Sequence, residues 1–380
     1  MIYLDNSATS FPKPAGLAAE MGACIERYCG NPGRSGHDMS MMTGEKIYQA
    51  RKAAASLFHI RDASRLVFTK NTTESLNLAL MGLLADGDHV VTTSMEHNSV
   101  LRPLEHLKAK GVRHTIVAGS GEGFVRAEDI EAAITGDTRL VAVTGASNVT
   151  GTMQPLDDIG RVCAEKQVLL LVDAAQLAGC ADIDVEKLGI SMLAFPGHKG
   201  LLGPLGTGGL YVAPSVHLEP LLCGGTGTES RSRVQPVEFP EGFEAGTVNA
   251  PGIIGLGYSI RVLQKVGVEA VEAYERELIR YFDEMISSMD FVDLYGPEPG
   301  GKTGISLFNI RGVDCEEAAA ILNREYGIAV RGGYHCAGLA HKTIGTWNTG
   351  AVRLSVGPFN TRRELRAAAE AVWKIGKKRG

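Results

Sequence analysis

The sequence VLLLVDAAQ at residues 168–176 and the sequence MLAFPGHK at residues 192–199 decide the fold class of this chain. Each stretch opens with a continuous apolar run, which is typical of a strand that helices cover on both faces. A carboxylate follows the first run, and a proline and a glycine follow the second. The pattern predicts two strands of a buried parallel sheet. Functional residues are expected at their carboxyl ends, because ligands bind at that edge of such sheets.

Similar β-rich runs alternate with helical patterns, such as 73–84 and 156–165, from about residue 65 to residue 215. The runs cover residues 65–69, 89–93, 114–117, 140–144, 168–172, 192–195 and 208–212. This alternation predicts an α/β fold with a large, doubly wound, mostly parallel seven-stranded sheet. We expect the large domain to span residues 14–250.

After residue 250 the pattern changes to that of a smaller α+β domain. Helical patterns and short strand candidates are mixed there, at residues 253–266, 268–288, 304–310, 316–326, 329–331, 352–355 and 362–377. We assign residues 251–380 to this small domain, together with residues 1–13. The polar, proline-punctuated residues 3–13 are expected to pack on the surface of one domain.

Charge and cysteine content exclude several classes of function. The 380 residues carry 38 Lys and Arg against 43 Asp and Glu, a formal net charge of −5. Nucleic acids and anionic membrane surfaces bind clustered positive charge, so we expect neither partner. No apolar run is long enough to span a bilayer, and no leader pattern opens the chain, which predicts a cytoplasmic protein. Seven irregularly spaced cysteines predict neither a disulfide framework nor a metal site.

Polar residues follow the predicted strands in an order that suits a phosphorylated cofactor. Asp173 follows five apolar residues, where a carboxylate needs a positive partner such as a charged ring nitrogen. Lys199 follows a buried strand, where lost solvation would make its amine a usable nucleophile. Thr72 and Thr73 open a helical pattern whose free N–H groups can bind a phosphate.

Each of these features taken alone has a structural explanation. Thr72 and Thr73 suit a plain helix cap, Lys199 suits a surface turn, and His97 and Asn148 suit ordinary strand-end and turn positions. Together, a carboxylate, an amine and a phosphate cup match the needs of pyridoxal phosphate (PLP). The glycine motifs of nicotinamide and P-loop sites are absent from the sequence, which disfavours a dehydrogenase.

These residues resemble those of the class V, fold-type I PLP enzymes, and within them the cysteine desulfurase and selenocysteine lyase group. The likeness runs from residue 3 to the last helical pattern and is most specific at residues 172–176, 197–199, 331–337 and 353–355. It implies the fold of the PLP-dependent transferases, a homodimer with shared active sites, and L-cysteine or L-selenocysteine as substrate.

At the cofactor ring, the resemblance implies five site residues. Lys199 is similar to the Schiff-base lysine, which also acts as the catalytic base. Asp173 is similar to the partner of the ring nitrogen. His97 resembles the catalytic imidazole that stacks on the ring. Gln176 resembles the residue that hydrogen-bonds the phenolic oxygen, with Asn148 at the same edge and near the substrate.

The resemblance also implies the residues that bind the phosphate and the substrate carboxylate. Thr72, Thr73 and His198 resemble phosphate ligands, and Thr247 resembles a further ligand that the other subunit supplies. Arg353 is similar to the arginine that binds the substrate carboxylate, a task that suits its forked guanidinium. The family usually has Ser or Thr at position 196. The proline there offers no hydroxyl, so the phosphate loses one ligand or another group replaces it.

Cys336 occupies the position of the catalytic nucleophile in this resemblance. Its thiolate would attack the sulfur of the bound substrate, leaving a persulfide and L-alanine. His335 and Arg331 are expected to supply the positive charge that such a thiolate needs. The short spacing from Cys336 to Arg353 resembles the branch whose cysteine loop is short and ordered and which often depends on a sulfur-accepting partner protein.

Other functions stay open at this point. Selenocysteine lysis, transamination or epimerisation would use the same scaffold, although Cys336 favours desulfuration because transamination needs no thiol. A non-catalytic sulfur-relay scaffold would have kept the fold without the cofactor. The destination of the sulfur, which includes iron–sulfur cluster assembly, tRNA thiolation and selenium supply, is not written in the sequence.

Overall fold

A computed structural model describes residues 1–379, which form thirteen strands and eleven α-helices. The strands are β1 (Ile2–Tyr3), β2 (Leu66–Thr69), β3 (His89–Thr93), β4 (Arg113–Val117), β5 (Thr138–Thr144), β6 (Leu169–Asp173), β7 (Met192–Pro196), β8 (Gly208–Val212), β9 (Val292–Tyr295), β10 (Ile305–Ile310), β11 (Ile328–Ala329), β12 (Arg331–Gly333) and β13 (Ala351–Ser355). The helices are α1 (Leu17–Arg27), α2 (Asp38–Leu57), α3 (Thr72–Leu83), α4 (Asn98–Lys108), α5 (Ala127–Ala133), α6 (Leu156–Lys166), α7 (Ala250–Val266), α8 (Val268–Ser287), α9 (Cys315–Tyr326), α10 (Gly338–Thr343) and α11 (Arg362–Arg379).

Seven strands form the large sheet in the order β2-β8-β7-β6-β5-β3-β4. Strand β8 runs antiparallel to both of its neighbours, and the pairs from β7 to β4 are parallel. The predicted seven-stranded, mostly parallel sheet is therefore confirmed. The chain passes from β3 outward to β4 and returns to β5 on the other side of β3. Such a reversal opens a crevice at the carboxyl ends of the strands.

The continuous apolar runs produce this sheet because both of its faces are buried. In β5, Val141 and Val143 join one hydrophobic cluster, whereas Leu140 and Ala142 join the cluster on the opposite face. Successive side chains of a strand point to opposite faces, so a strand that is covered twice has no polar face. Helices α2, α6 and α7 contribute to the first cluster, and α3 and α4 contribute to the second.

A second, antiparallel sheet has the order β12-β13-β10-β9. Its apolar side chains pack against α8, α9 and α11 in a third cluster, which includes Phe282, Phe308 and Leu365. The single strand predicted at residues 329–331 is wrong in detail. Residues 328–329 pair with β1, whereas residues 331–333 pair with β13. No helix within residues 1–379 is both long and apolar enough to cross a membrane.

The amino-terminal segment, residues 3–13, departs from its expected surface position. Strand β1 pairs in parallel with β11, and Leu4 is fully buried in the third cluster. The polar residues that follow are buried because partners far along the chain satisfy them. The Asn6 amide donates to the carbonyl of Ser355 at 3.1 Å, and the Ser10 amide N–H donates to the carbonyl of His198 at 3.0 Å. The surface prediction is wrong, and this segment joins both sheets.

Candidate active site

The carboxyl ends of β3, β5, β6 and β7 surround a cavity of about 500 Å³, called here the strand-end cavity. Parallel strands bring residues that are distant in sequence to one edge, so polar residues that follow separate strands meet there. The cavity wall includes eight of the residues singled out from the sequence, namely Thr72, Thr73, His97, Asn148, Asp173, Gln176, His198 and Lys199.

Asp173 and Lys199 give this cavity its titratable pair. Asp173 is 2% exposed, and its Oδ1 accepts a hydrogen bond from the Ala175 N–H at 2.9 Å. Burial raises the pKa of Asp173, while that N–H and the Lys199 charge oppose the rise. Burial and the Arg353 charge lower the pKa of Lys199 to about 8, against a smaller opposing effect of Asp173. The lysine therefore loses its proton more readily than a surface lysine does.

His97 lines the cavity as a neutral imidazole. It precedes α4, and its Nδ1 accepts from the Ser99 N–H at 3.1 Å. The Ser99 hydroxyl lies 2.9 Å from the same nitrogen and 2.8 Å from Oγ1 of Thr73. Burial, and then the Lys199 charge, lower the pKa of His97 to about 4. The hydrogen of the ring therefore sits on Nε2, which leaves a flat, uncharged ring.

Ser99 was missed in the sequence, although its spacing carried a signal. A serine two residues after a residue that precedes a helix is well placed to bond to that residue. Here it connects His97 to Thr73, so the hydroxyl of Thr73 is already engaged.

One end of the cavity has the properties of an anion site. Helix α3 begins at Thr72, so free backbone N–H groups face outward there. Within residues 1–379, the buried Thr72 Oγ1 and His198 Nδ1 have no hydrogen-bond partner. Buried polar atoms are seldom left unpaired, so an unpaired hydroxyl and an unpaired imidazole beside a helix start fit a phosphate. Pro196 also lines this cavity and adds no donor.

The amino-terminal segment holds the peptide bond between His198 and Lys199. Three side chains surround the carbonyl oxygen of His198, with Thr9 Oγ1 at 3.1 Å, Ser10 Oγ at 3.1 Å and Lys13 Nζ at 2.9 Å. Burial lowers the pKa of Lys13 to about 8. These donors fix the backbone directly before Lys199, a role that the sequence pattern did not reveal.

Arg353, in β13, is only 1% exposed and is held by two fixed acceptors. It donates to the Asn148 carbonyl at 2.8 Å and to Oδ1 of Asp5 at 3.1 Å. Its Nε has no partner within residues 1–379. A buried guanidinium with an unused donor can bind an incoming carboxylate. Asp5, which orients it, was not identified from the sequence.

Gln176 and Asn148 connect the cavity to its surroundings. The Gln176 amide donates to the Ser7 carbonyl at 3.0 Å, so it holds the amino-terminal segment. The Asn148 amide donates to the His335 carbonyl at 2.6 Å, so it holds the residues around Cys336. Both side chains therefore link the large sheet to segments that pack from outside.

Glu96 is fully buried between β3 and β5 at the same edge of the sheet. Its Oε1 accepts from the Thr93 hydroxyl at 2.6 Å and from the Thr144 N–H at 3.0 Å. Burial nevertheless raises its pKa to about 8. A neutral carboxyl thus fills the crevice where the strand order reverses.

Cys336 lies in the cysteine loop, residues 334–337, between β12 and α10. It is exposed and lines a second cavity of about 800 Å³, the cysteine cleft, which shares Thr73, His97 and Ser99 with the strand-end cavity. His335 and Cys336 have φ values of +52° and +58°. Left-handed conformations of residues other than glycine cost roughly 1–3 kcal/mol each and persist only where other contacts hold them. One such contact is the Asn98 N–H, which donates to the Cys336 carbonyl at 2.9 Å.

The charge around the thiol differs from the expectation in one respect. The Arg331 guanidinium lies 3.8 Å from the sulfur of Cys336. His335, however, is 2% exposed, and burial and the Arg353 charge lower its pKa to about 2. It is therefore neutral, and the prediction that His335 supplies positive charge is wrong. Arg331 is the nearby cation.

Thr247 lies away from the residues that it was expected to join. It is exposed, in the loop before α7, with Oγ1 at 3.5 Å from the Asn31 amide. Neither cavity includes it in its wall.

A large, mostly parallel sheet with an aspartate and a lysine after successive strands is the architecture of the fold-type I PLP enzymes. A family model for class-V aminotransferases matches residues 2–367, and the chain belongs to that family. It is 37% identical to a probable cysteine desulfurase of Methanothermobacter thermautotrophicus, over 98% of this chain and 94% of the relative. It is 33% identical to a cysteine desulfurase of Salmonella gallinarum, over 96% and 91%. The apo structure of a cysteine desulfurase from Thermococcus onnurineus superposes with a TM-score of 0.94 at 35% identity, covering 99% of this chain and 95% of that one.

Proposed function

We propose that this chain is a PLP-dependent cysteine desulfurase, which converts L-cysteine to L-alanine and takes the sulfur onto Cys336. The observation that carries the proposal is the placement of Cys336. Its exposed thiol, beside Arg331, lines a cleft that shares His97 with the cavity of Lys199. The names of the relatives and the neighbouring structure support the same reaction.

The residues of the strand-end cavity fit PLP. Asp173 would face the ring nitrogen, Lys199 would carry the cofactor, His97 would lie on the ring, and Gln176 would bind its phenolic oxygen. The phosphate would be held at the start of α3 by residues that include the unpaired Thr72 and His198, with Thr73 beside them, and by Thr247 of a second subunit. When bound, PLP supplies an electron-accepting ring that stabilises negative charge on the substrate α-carbon.

The protein groups would then divide the work between them. Arg353 would bind the substrate carboxylate through its unused donor, with Asn148 beside it. Lys199, whose pKa burial lowers to about 8, would take the α-proton and return a proton to the product. His97, whose pKa burial lowers to about 4, would stay neutral when Lys199 titrates and would orient the reacting groups.

The sulfur step balances without an external oxidant. The Cys336 thiolate attacks the substrate sulfur, an S–S bond forms, and the carbon–sulfur bond breaks. The electron pair of the broken bond stays on the substrate carbon, which is then protonated. In sum, L-cysteine and the Cys336 thiol give L-alanine and a Cys336 persulfide.

We extend the proposal to the organisation of the protein. Two sheets support a large domain at residues 14–250 and a small domain formed by residues 1–13 and 251–380, although Leu307 and Ala351 of the second sheet also pack in the first hydrophobic cluster. Helix α7 packs in the first cluster, so it would connect the two. We also propose that the protein is a cytoplasmic homodimer and that sulfur passes from Cys336 to an acceptor protein. The exposure of the Cys336 thiol supports the sulfur transfer.

The test measures alanine and persulfide formation from L-cysteine in the wild type and in Cys336→Ala. We expect Cys336→Ala to lose alanine formation by on the order of 10³-fold, because the proposed sulfur acceptor is removed. Cys223→Ala removes another exposed thiol and is the matched control, with wild-type rates expected. Full activity of Cys336→Ala would contradict the proposal and favour an aminotransferase. A much higher rate with L-selenocysteine than with L-cysteine would favour a selenocysteine lyase.

A further inference from the structure

Two buried histidines adjoin Cys336, and the proposed reaction gives neither of them a role. His335 is 2% exposed and His341 is 0% exposed. Nδ1 of His335 lies 3.2 Å from Nε2 of His341, and Nδ1 of His341 lies 2.7 Å from Oγ1 of Thr346. The ring centroids are 5.4 Å apart and the ring planes differ by 17°, which together with the 3.2 Å N···N distance fits an N–H···N bond between the ring edges.

The positions of the hydrogens in this chain of bonds follow from one end. Nε2 of His335 lies 3.2 Å from the Arg331 carbonyl, which can only accept, so this nitrogen carries the hydrogen. A neutral imidazole has one N–H, so Nδ1 of His335 accepts from His341. Nδ1 of His341 then accepts from the Thr346 hydroxyl. Burial lowers the pKa of His341 to about 4, which agrees with a neutral ring.

The bonds of His335 span the strained turn. Arg331 lies in β12 before the turn, and His341 lies in α10 after it. The His335 ring therefore ties together the two elements between which Cys336 adopts its left-handed conformation. Without these bonds, little in the side chains themselves favours positive φ at two consecutive residues.

We propose that His341 is a positioning residue that acts through His335 to hold Cys336 in its left-handed conformation, with the thiol on the wall of the cysteine cleft. This inference rests on the proposed desulfurase function, in which Cys336 must meet the substrate sulfur. Because His341 lines neither the strand-end cavity nor the cysteine cleft, its contribution is made through the geometry of the cysteine loop.

The experiment compares His341→Leu with His341→Gln in the PLP-loaded enzyme. Leucine removes the N–H that serves His335, whereas glutamine places an amide N–H at the same distance along the side chain. We expect kcat for alanine formation to fall by on the order of 10–100-fold in His341→Leu, because small misplacements of reacting groups slow reactions by about this factor. The KM for L-cysteine and the cofactor absorbance stay unchanged. His341→Gln recovers kcat to within about threefold of wild type because it keeps the donor.

Alkylation by iodoacetamide, followed peptide by peptide with mass spectrometry, gives a readout that needs no turnover. The alkylation rate of Cys336 differs from the wild-type rate in His341→Leu and returns to the wild-type rate in His341→Gln. The alkylation rate of the exposed Cys223 stays the same in both variants. His217→Leu, a change at an exposed histidine, is the matched control and keeps wild-type values.

If His341→Leu does not fold, Thr346→Val and Thr346→Ser decide the question. Valine removes the hydroxyl that serves His341, and serine keeps it, so a lowered kcat in the first and recovery in the second support the proposal. Wild-type kcat in folded His341→Leu, or in Thr346→Val when the former is unfolded, overturns it. The proposal is also overturned if the loss of kcat is fully explained by a matching loss of bound cofactor. Full activity of Cys336→Ala would instead overturn the desulfurase function, whatever the His341 variants do.

Discussion

At the strand-end cavity the functional side chains extend from the ends of buried parallel strands, whereas Cys336 extends from a turn between β12 and α10. Sheet hydrogen bonds and two hydrophobic clusters fix Asp173, and donors of the amino-terminal segment fix the backbone directly before Lys199. The cysteine loop is held by side-chain bonds from Asn148 and His341 and by one backbone bond from Asn98. A group that must stay in place is thus built into the sheet. A group that must exchange sulfur lies on an exposed turn, whose local contacts are fewer and easier to alter.

We expect Lys199→Ala to have the largest effect, and we expect that effect to be confined to the strand-end cavity. We expect alanine formation to fall by on the order of 10³-fold or more, because both the tether and the base are lost. Borohydride treatment should fix cofactor onto the wild type and not onto this variant, as read by mass spectrometry. Alkylation of Cys336 should keep its wild-type rate. A changed rate would show that the two regions are not independent. Lys187→Ala, at an exposed site, is the matched control.

Arg353→Lys tests the residue that connects the two regions. A lysine cannot donate to the Asn148 carbonyl, to Asp5 and to a carboxylate in the same fork geometry. We expect KM for L-cysteine to rise by on the order of 10–100-fold, because the charge-assisted bond from the free guanidinium donor to the carboxylate is lost. Steady-state kinetics would measure it. Arg362→Lys, at an exposed arginine of α11, should leave KM unchanged, and an unchanged KM in Arg353→Lys would assign the carboxylate to another group.

The pH dependence of cofactor uptake tests the environment of Lys199 alone. Only the neutral amine reacts, and burial lowers the pKa of Lys199 to about 8. The rate of PLP uptake by cofactor-free protein should therefore rise about tenfold from pH 7 to pH 9 and then level off. Stopped-flow absorbance would follow it. A rate that keeps rising beyond pH 10 would mean that the amine behaves as an ordinary exposed lysine.

Glu96→Gln gives the smallest effect, on stability rather than on chemistry. The pKa of Glu96 is about 8 in the folded chain and 4.5 as its ordinary value, so the folded state binds the extra proton between these values. That contribution is complete below about pH 4.5 and is lost as the pH rises to about 8. Between pH 5 and pH 8.5 the wild type should lose at least about 1 kcal/mol more unfolding free energy than Glu96→Gln. Urea titrations at both pH values would measure this, and parallel losses would contradict the assignment.

The sequence predicted the large sheet well because a strand buried on both faces leaves a continuous apolar run. It did not predict α2, whose exposed Met39, Met41 and Met42 obscure the pattern of an amphipathic helix. The residues after each strand were identified because their position at the sheet edge depends on topology alone.

Properties that depend on distant partners could not be predicted. Residues 3–13 look like a surface segment until the acceptors that satisfy them, such as the His198 carbonyl, are in place. His335 looks like a cation beside a thiol, and only its burial shows that it is neutral. Local composition cannot distinguish these cases, because burial is a property of the whole fold.

The pairing of the chain's first strand with β11 has a consequence for the order of events during synthesis. The Asn6 amide bonds to a carbonyl 349 positions further on, and Asp5 bonds to Arg353. When the large sheet has already left the ribosome, the amino-terminal segment still has no partner. Contacts of such long sequence separation close large loops and form late. A nascent chain therefore carries Lys199 long before Arg353 can be oriented, and activity waits until β13 has been translated.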